Sequence, residues 1–161
     1  MATIEQRIAA LGLSLPARIQ PPPGTHLPFP FVQVQGTRVL ISGHGPLNPD
    51  GTLARPLGKV GRELSVAQGY AAARLTGLAI LASLQEALGD LDRIRCFSRV
   101  FGMVNSAPGF HEQPAVINGF SELILELFGL EQGRHARSAV GMAELPFNIP
   151  VEIEGEVLLH E

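Results

Sequence analysis

The sequence predicts an α+β fold, a single mixed β-sheet covered on one face by two helices. Three observations carry this expectation. Two helical stretches, Val66 to Leu88 and Glu112 to Phe128, are separated by one β-rich run, Ile94 to Val104. Paired strand signals flank them at both ends of the chain. The last strand alternates Val151, Ile153 and Val157 with Glu152, Glu154 and Glu156, giving it one apolar and one acidic face.

Each element has a local reason. Ile4, Ile8 and Leu11 have helical spacing, and Gly12 closes that short first helix. Pro21-Pro22-Pro23-Gly24 then forbids regular structure, so an extended segment runs to about Pro30 and the domain proper is expected from Phe31 onward, with residues 1–30 as an extension. Phe31 to Gln35 and Arg38 to Ser42 read as strands around a Gly36-Thr37 turn. Ser65 with Gln68 makes a capping box for the long helix, which Gly89 ends. Pro114 fits the first turn of the second helix and Gly129 stops it. Ser138 to Glu144 and Val151 to Leu159 complete the strands, split by a Pro146 to Pro150 turn. The face of the sheet away from the helices has no cover in this scheme.

Composition narrows the function classes. Of 161 residues, 45% are hydrophobic and only 17% charged, which marks a folded chain with surface to hide against other subunits. The net charge of −3 and the scattered arginines (Lys59 is the lone lysine) argue against a nucleic-acid partner. Cys96 stands alone, so neither a disulfide framework nor a cysteine zinc site is expected. The first ten residues carry charges where a secretion signal would be apolar, and no long uncharged run suggests a membrane span. A cytoplasmic protein without a membrane partner is therefore expected.

Three chemistries are weak. No two of the five histidines have metal-ligand spacing, so no metal is expected. Gly58-Lys59-Val60-Gly61 lacks the frame of a phosphate loop and reads as a turn. No nucleophile elbow occurs. What stands out is Arg137, on a predicted strand among Ala136, Ser138, Ala139 and Val140. A guanidinium there needs an anionic partner. That partner is either Glu152 or Glu154 of a neighbouring strand, or the carboxylate of a ligand accepting two parallel hydrogen bonds. His135, two residues earlier, would face the same way as Arg137.

The run Ala136-Arg137-Ser138-Ala139-Val140, followed by Glu144-Leu145-Pro146 and Val151-Glu152-Ile153-Glu154, resembles the C-terminal signature of the Rid/YjgF family. Ile41-Ser42-Gly43-His44-Gly45-Pro46 is similar to that family's first-hairpin motif, and Gly89-Asp90-Leu91-Asp92 to its helix-to-strand loop. The resemblance extends from about Phe31 to Leu158 and points to a branch longer at its N-terminus than the archetypal deaminases. It implies a chorismate-mutase-like fold assembled as a homotrimeric barrel, with ligand clefts between subunits. It also implies cofactor-independent hydrolysis of 2-aminoacrylate or 2-imino acids to 2-keto acids and ammonia. Carried over by position, Arg137 would bind the substrate carboxylate and Glu152 would position or activate water. Ser42 matches the first-hairpin serine and Asn118 the second-helix asparagine.

The sequence departs from the family pattern at three places that border the implied site. Ala139 stands where a cysteine is frequent, Phe31 best matches a tyrosine, and His44 replaces a glutamine. Gly43-His44-Gly45-Pro46 is turn chemistry, so His44 reads as a solvated loop histidine that could contribute a proton near neutral pH. Two other functions follow from these features. A non-catalytic binder of small carboxylate metabolites is consistent with Phe31 and Ala139 in place of polar groups. A ribonuclease or translation inhibitor, known in some family members, is opposed by the acidic balance.

Overall fold

A computed structural model describes all residues, Met1–Glu161. Three α-helices and five strands follow in order: α1 (Ile4–Ala10), β1 (Val32–Gln35), β2 (Arg38–His44), α2 (Val66–Leu88), β3 (Ile94–Asn105), α3 (Gln113–Gly133), β4 (Ala136–Met142) and β5 (Val151–Leu159). The strands form one mixed sheet in the order β1-β2-β5-β3-β4. Only β3 and β4 run parallel; the helix α3 makes their crossover. The α+β class and the order of elements are as the sequence predicts.

Local chemistry sets the helix ends. Ser65 accepts from the Gln68 backbone N–H at 3.2 Å while Gln68 accepts from the Ser65 N–H at 2.9 Å, the reciprocal box expected from sequence. Gly89 ends α2 at a φ of +81°. Gly129 breaks α3 at a φ of +75°, where the sequence predicts its end, but helical bonding resumes for one further turn to Gly133. That last turn matters, because it sets the approach to β4.

One face of the sheet packs against α2 and α3. Val39, Ile41, Val100, Val104, Val151, Ile153 and Val157 form the core there with Leu81, Leu84, Ile117, Phe120, Leu123 and Ile124. The two helices touch closely at Gly119, where a Cβ would lie 2.0 Å from the Tyr70 carbonyl oxygen. Gly102 in β3 leaves room for the Ile117 side chain, whose Cγ1 would be 2.7 Å from a Cβ there. Both glycines draw α3 onto the sheet. The opposite face carries Glu152, Glu154 and Glu156, together with a small cluster of Met103, Leu145 and Ile149 against the Phe101, Val140 and Met142 side chains.

The N-terminal segment joins the same core. Ile4 and Ile8 are buried, Arg7 donates to the Leu127 carbonyl at 2.7 Å, and Glu5 accepts from the Leu91 N–H at 3.0 Å. Residues 13–31 then cross the molecule as a strap, with Ala17 N–H bonded to Pro49 O and Gln20 N–H to Gly51 O, both at 2.9 Å. Beneath it lies a cavity of about 840 Å³ between the strap, the first hairpin and the C-terminal half of α2. No helix is long and apolar enough to cross a membrane.

Candidate functional site

Arg137 sits on β4, the edge strand, and its side chain points to the helix side. The register fixes this: Arg137 pairs with Val100, which is buried in the core beneath α3. Pro114, Asn118 and Ser121 are spaced four and three apart along α3, so they share one stripe of that helix. All three meet the guanidinium. Nη1 donates to Asn118 Oδ1 at 2.9 Å and to Ser121 Oγ at 3.0 Å; Nη2 makes a long 3.4 Å contact with the Pro114 carbonyl.

No carboxylate touches it. The four ion pairs of the chain are Arg18–Glu86, Arg38–Glu156, Arg62–Glu63 and Arg74–Glu126. The sequence left open a bridge from Arg137 to Glu152 or Glu154 on a neighbouring strand, and the topology removes it: β3 lies between β4 and β5. Glu152 also faces the other way. It pairs with Met103 on the open face, whereas Arg137 lines up with Val100 on the helix face. Within one subunit the two are on opposite sides of the sheet.

The guanidinium is therefore saturated on one edge and free on the other. Both Nη1 hydrogens have acceptors; Nε–H has none, and Nη2 has only its long contact. The Nε–Nη2 edge is the fork that matches a carboxylate bidentately. Partial burial lowers the Arg137 pKa from its usual value, the sign of a cation that is desolvated without a neutralising partner.

His135 completes this cluster. Its Nδ1 lies 2.7 Å from the Gly133 carbonyl oxygen and its Nε2 lies 2.9 Å from Ser121 Oγ. Burial lowers its pKa, and the Arg137 charge adds to the effect against a raising backbone hydrogen bond. Sequence reasoning placed His135 on the side of Arg137 but did not connect it to Ser121. The signal was available in the three-residue step from Asn118 to Ser121 on a helix packed over this strand. Ala139, two residues after Arg137, shares its face and packs partly against the core.

A second locus holds Glu152 and the first hairpin. A Cβ on Gly43 would lie 2.9 Å from Glu152 Cδ, so the absence of a side chain there makes room for the carboxylate. Burial, and then the charge of Glu154, raise the Glu152 pKa above the usual carboxylate value. Ser42 donates to the Pro30 carbonyl at 2.8 Å and borders a hollow of about 450 Å³ that includes Arg99 and Glu154.

Phe31 and His44 occupy a third place, the wall of the cavity beneath the strap. Their rings lie 5.1 Å apart, and Phe31 meets Phe29 edge-on at 5.5 Å. His44 corrects the sequence reading of a solvated loop histidine. An extra residue between Ile41 and His44 in β2 turns the imidazole inward, where only 6% of the residue is exposed. Nδ1 lies 2.6 Å from the Ser42 carbonyl oxygen and Nε2 lies 2.8 Å from Ser83 Oγ. Burial pulls the pKa down to about 4, so His44 is neutral at pH 7. The candidate residues thus fall into three groups: Arg137, Asn118 and Ala139; Glu152, against Gly43; and Phe31 and His44, to which Ser42 is joined by its N–H to the Phe31 carbonyl and its carbonyl to His44 Nδ1.

Lys59 is an ordered loop residue whose amine donates to Asn105 Oδ1 at 2.7 Å and to the Ala143 carbonyl, as befits a turn rather than a phosphate loop. Glu5, Asp90 and Asp92 gather their carboxylates within 4.8 Å, and each accepts from a backbone N–H.

Comparison with known proteins agrees with this architecture. The family described as "YjgF/chorismate mutase-like, putative endoribonuclease" matches residues 5–153. Protein TCP17 of Trypanosoma cruzi is 42% identical over 158 residues, covering 96% of this chain and 95% of that protein. A protein of unknown function from Agrobacterium tumefaciens has a crystal structure with a TM-score of 0.86 at 42% identity, over 98% of this chain and 94% of that one. Escherichia coli TdcF, crystallised with bound serine, aligns with a TM-score of 0.58 at 20% identity over 89% of this chain and 99% of its own, a likeness of fold. With most of its length matched and its sheet order, crossover and helix placement described above, this chain belongs to the YjgF/chorismate mutase-like family.

Proposed function

We propose that the protein is a cofactor-independent enamine/imine deaminase that hydrolyses 2-aminoacrylate and related 2-imino acids to 2-keto acids and ammonia. The observation that carries this reading is the free Nε–Nη2 fork of Arg137, a half-buried cation held by neutral groups and lacking any carboxylate of its own. Such a fork takes an acid group in a fixed orientation. An imine carbon beside that carboxylate is already electrophilic. The remaining work is to deliver water, then to protonate the departing amine.

Glu152 suits that work. Its raised pKa keeps a proton available nearer neutrality than an ordinary carboxylate would, and no side chain or backbone donor of its own subunit occupies it. As carboxylate it would draw a proton from the attacking water; as carboxylic acid it would return one to the leaving nitrogen. Because Arg137 and Glu152 lie on opposite faces of one sheet, the reading requires that the Arg137 edge of one subunit meet the Glu152 face of another. A homotrimer of the family type would supply such a contact, and the partly exposed Phe101 and Val140 side chains on the Glu152 face, packed on Met103, give it apolar surface to bury.

The alternative, a trimer that binds small carboxylates without turnover, draws on Phe31: its ring is packed against Phe29 and His44 and offers no hydroxyl. Freshly generated 2-iminopropionate separates the two. Keto-acid release above the spontaneous rate, lost in Arg137→Ala, supports the deaminase. Arg137-dependent binding of pyruvate with no acceleration of any imine would replace it by the binder.

A further inference from the structure

We infer that His135 and Ser121 are positioning residues for Arg137, acting as a directed hydrogen-bond relay that leaves the Nε–Nη2 fork free for a ligand. This deepens the proposed function and rests on Arg137 being the carboxylate anchor.

The direction of the relay follows from which groups can donate. The Gly133 carbonyl can only accept, so His135 Nδ1 carries the hydrogen across the 2.7 Å contact. The neutral ring then has an acceptor at Nε2. The guanidinium can only donate, so Ser121 Oγ accepts from Arg137 Nη1 at 3.0 Å. The one hydroxyl hydrogen of Ser121 is thereby released to His135 Nε2 at 2.9 Å. Every link has a single polarity: Arg137 to Ser121, Ser121 to His135, His135 to Gly133.

Two features hold the relay rigid. The imidazole is wedged edge-on against Phe120, with centroids 5.9 Å apart, and tilted against Phe97 at 6.4 Å. Gly133 belongs to the extra helical turn after Gly129, so that turn presents the carbonyl that fixes the tautomer. Asn118 Oδ1 takes the second Nη1 hydrogen at 2.9 Å. With Nη1 pinned twice, the planar guanidinium has no freedom to present a different edge. Without Ser121, only Asn118 and the long 3.4 Å contact to the Pro114 carbonyl would hold it, a weaker hinge about which the plane can turn. The relay is thus the difference between an arginine that is merely nearby and one that is aimed.

The test uses histidine-labelled full-length protein and nitrogen NMR near pH 7.5, together with pyruvate as the binding probe. The relay predicts the Nδ1–H tautomer for His135, shifted toward Nε2–H in Ser121→Ala. It predicts that His135→Leu weakens pyruvate binding by up to about tenfold, the scale of one lost neutral hydrogen bond, while His135→Gln, whose Oε1 falls near the Nε2 position, restores most of it. KM for an imine substrate should rise with kcat changing far less. An Nε2–H tautomer in the parent protein, or His135→Leu binding pyruvate as tightly as the parent, would overturn the relay. Should pyruvate fail to bind the parent at all, the anchor role of Arg137 fails instead. The relay is then judged by whether Arg137→Ala moves the His135 resonances when Ser121 is present and leaves them in place in Ser121→Ala.

Discussion

The chain builds one histidine device twice, and its two copies have different outcomes. His44 and His135 each donate from Nδ1 to the carbonyl two residues earlier, Ser42 or Gly133, and each meets a helix serine at Nε2, Ser83 on α2 or Ser121 on α3. In the first copy the chain of bonds stops at Ser83, inside a cavity wall, and burial makes it a structural joint between β2 and α2. In the second, Ser121 also accepts from Arg137, a cation at the sheet edge. The same local geometry is a joint where it ends in packing and a site component where it ends in an unneutralised charge. Burial accounts for the rest: His44 is driven down to about 4, whereas His135 is lowered without so deep an enclosure.

The largest expected effect breaks the second copy at its end. Arg137→Ala removes both hydrogens of the fork, and pyruvate affinity should fall by about 100-fold or more, as for a bidentate charged pair. Calorimetric titration checks it. Folding should be little changed, because Arg137 holds no ion pair and its partners Asn118 and Ser121 remain reachable by water.

The first copy should respond through stability. An unfolded histidine titrates near 6.5 while native His44 titrates at about 4, so between those values the unfolded chain binds a proton that the native state refuses. Stability from this group is complete above about pH 6.5, declines as pH falls toward 4 and changes no further below that. The loss is on the order of 3 kcal/mol. Denaturant melts across this range should show it, and His44→Gln, which keeps an acceptor for Ser83 but does not titrate, should flatten the slope.

Glu152→Gln sharpens the contrast from the catalytic side. It removes the proton exchange but not the carboxylate anchor, so kcat should fall about 100-fold with pyruvate affinity retained. In the parent, the acid limb of kcat/KM should lie above the ordinary carboxylate range, since burial and Glu154 raise Glu152. The smallest effect is Ser83→Ala, which leaves His44 Nε2 without its donor and should cost about 1–2 kcal/mol of stability with no change in pyruvate affinity.

Much of the fold was legible because local signals and the global arrangement agree: the Ser65–Gln68 box, Gly89, and the alternation in β5 all stand where sequence reasoning puts them. Arg137 was legible as an arginine in want of an anion. Its surroundings were not. Strand order is a long-range property, and nothing local says that β3 intervenes between β4 and β5, so the bridge to Glu152 or Glu154 looked possible. His44 was misplaced because Gly43, Gly45 and Pro46 read as turn chemistry, whereas β2 runs on to His44 and one extra residue in it turns the imidazole inward. Ser121 was missed since a serine on a helix is unremarkable until the strand beneath it carries a cation.

Complementation tests the central claim most directly: that Arg137 and Glu152 act together only across a subunit contact. Arg137→Ala and Glu152→Gln proteins, each strongly impaired with 2-iminopropionate, are unfolded together, refolded as mixed assemblies and assayed. The opposite faces occupied by the two residues predict that a fraction of parental activity returns, because some contacts pair an intact Arg137 with an intact Glu152 from its neighbour. Mixed assemblies as inactive as either variant alone, formed with both chains present, would contradict it.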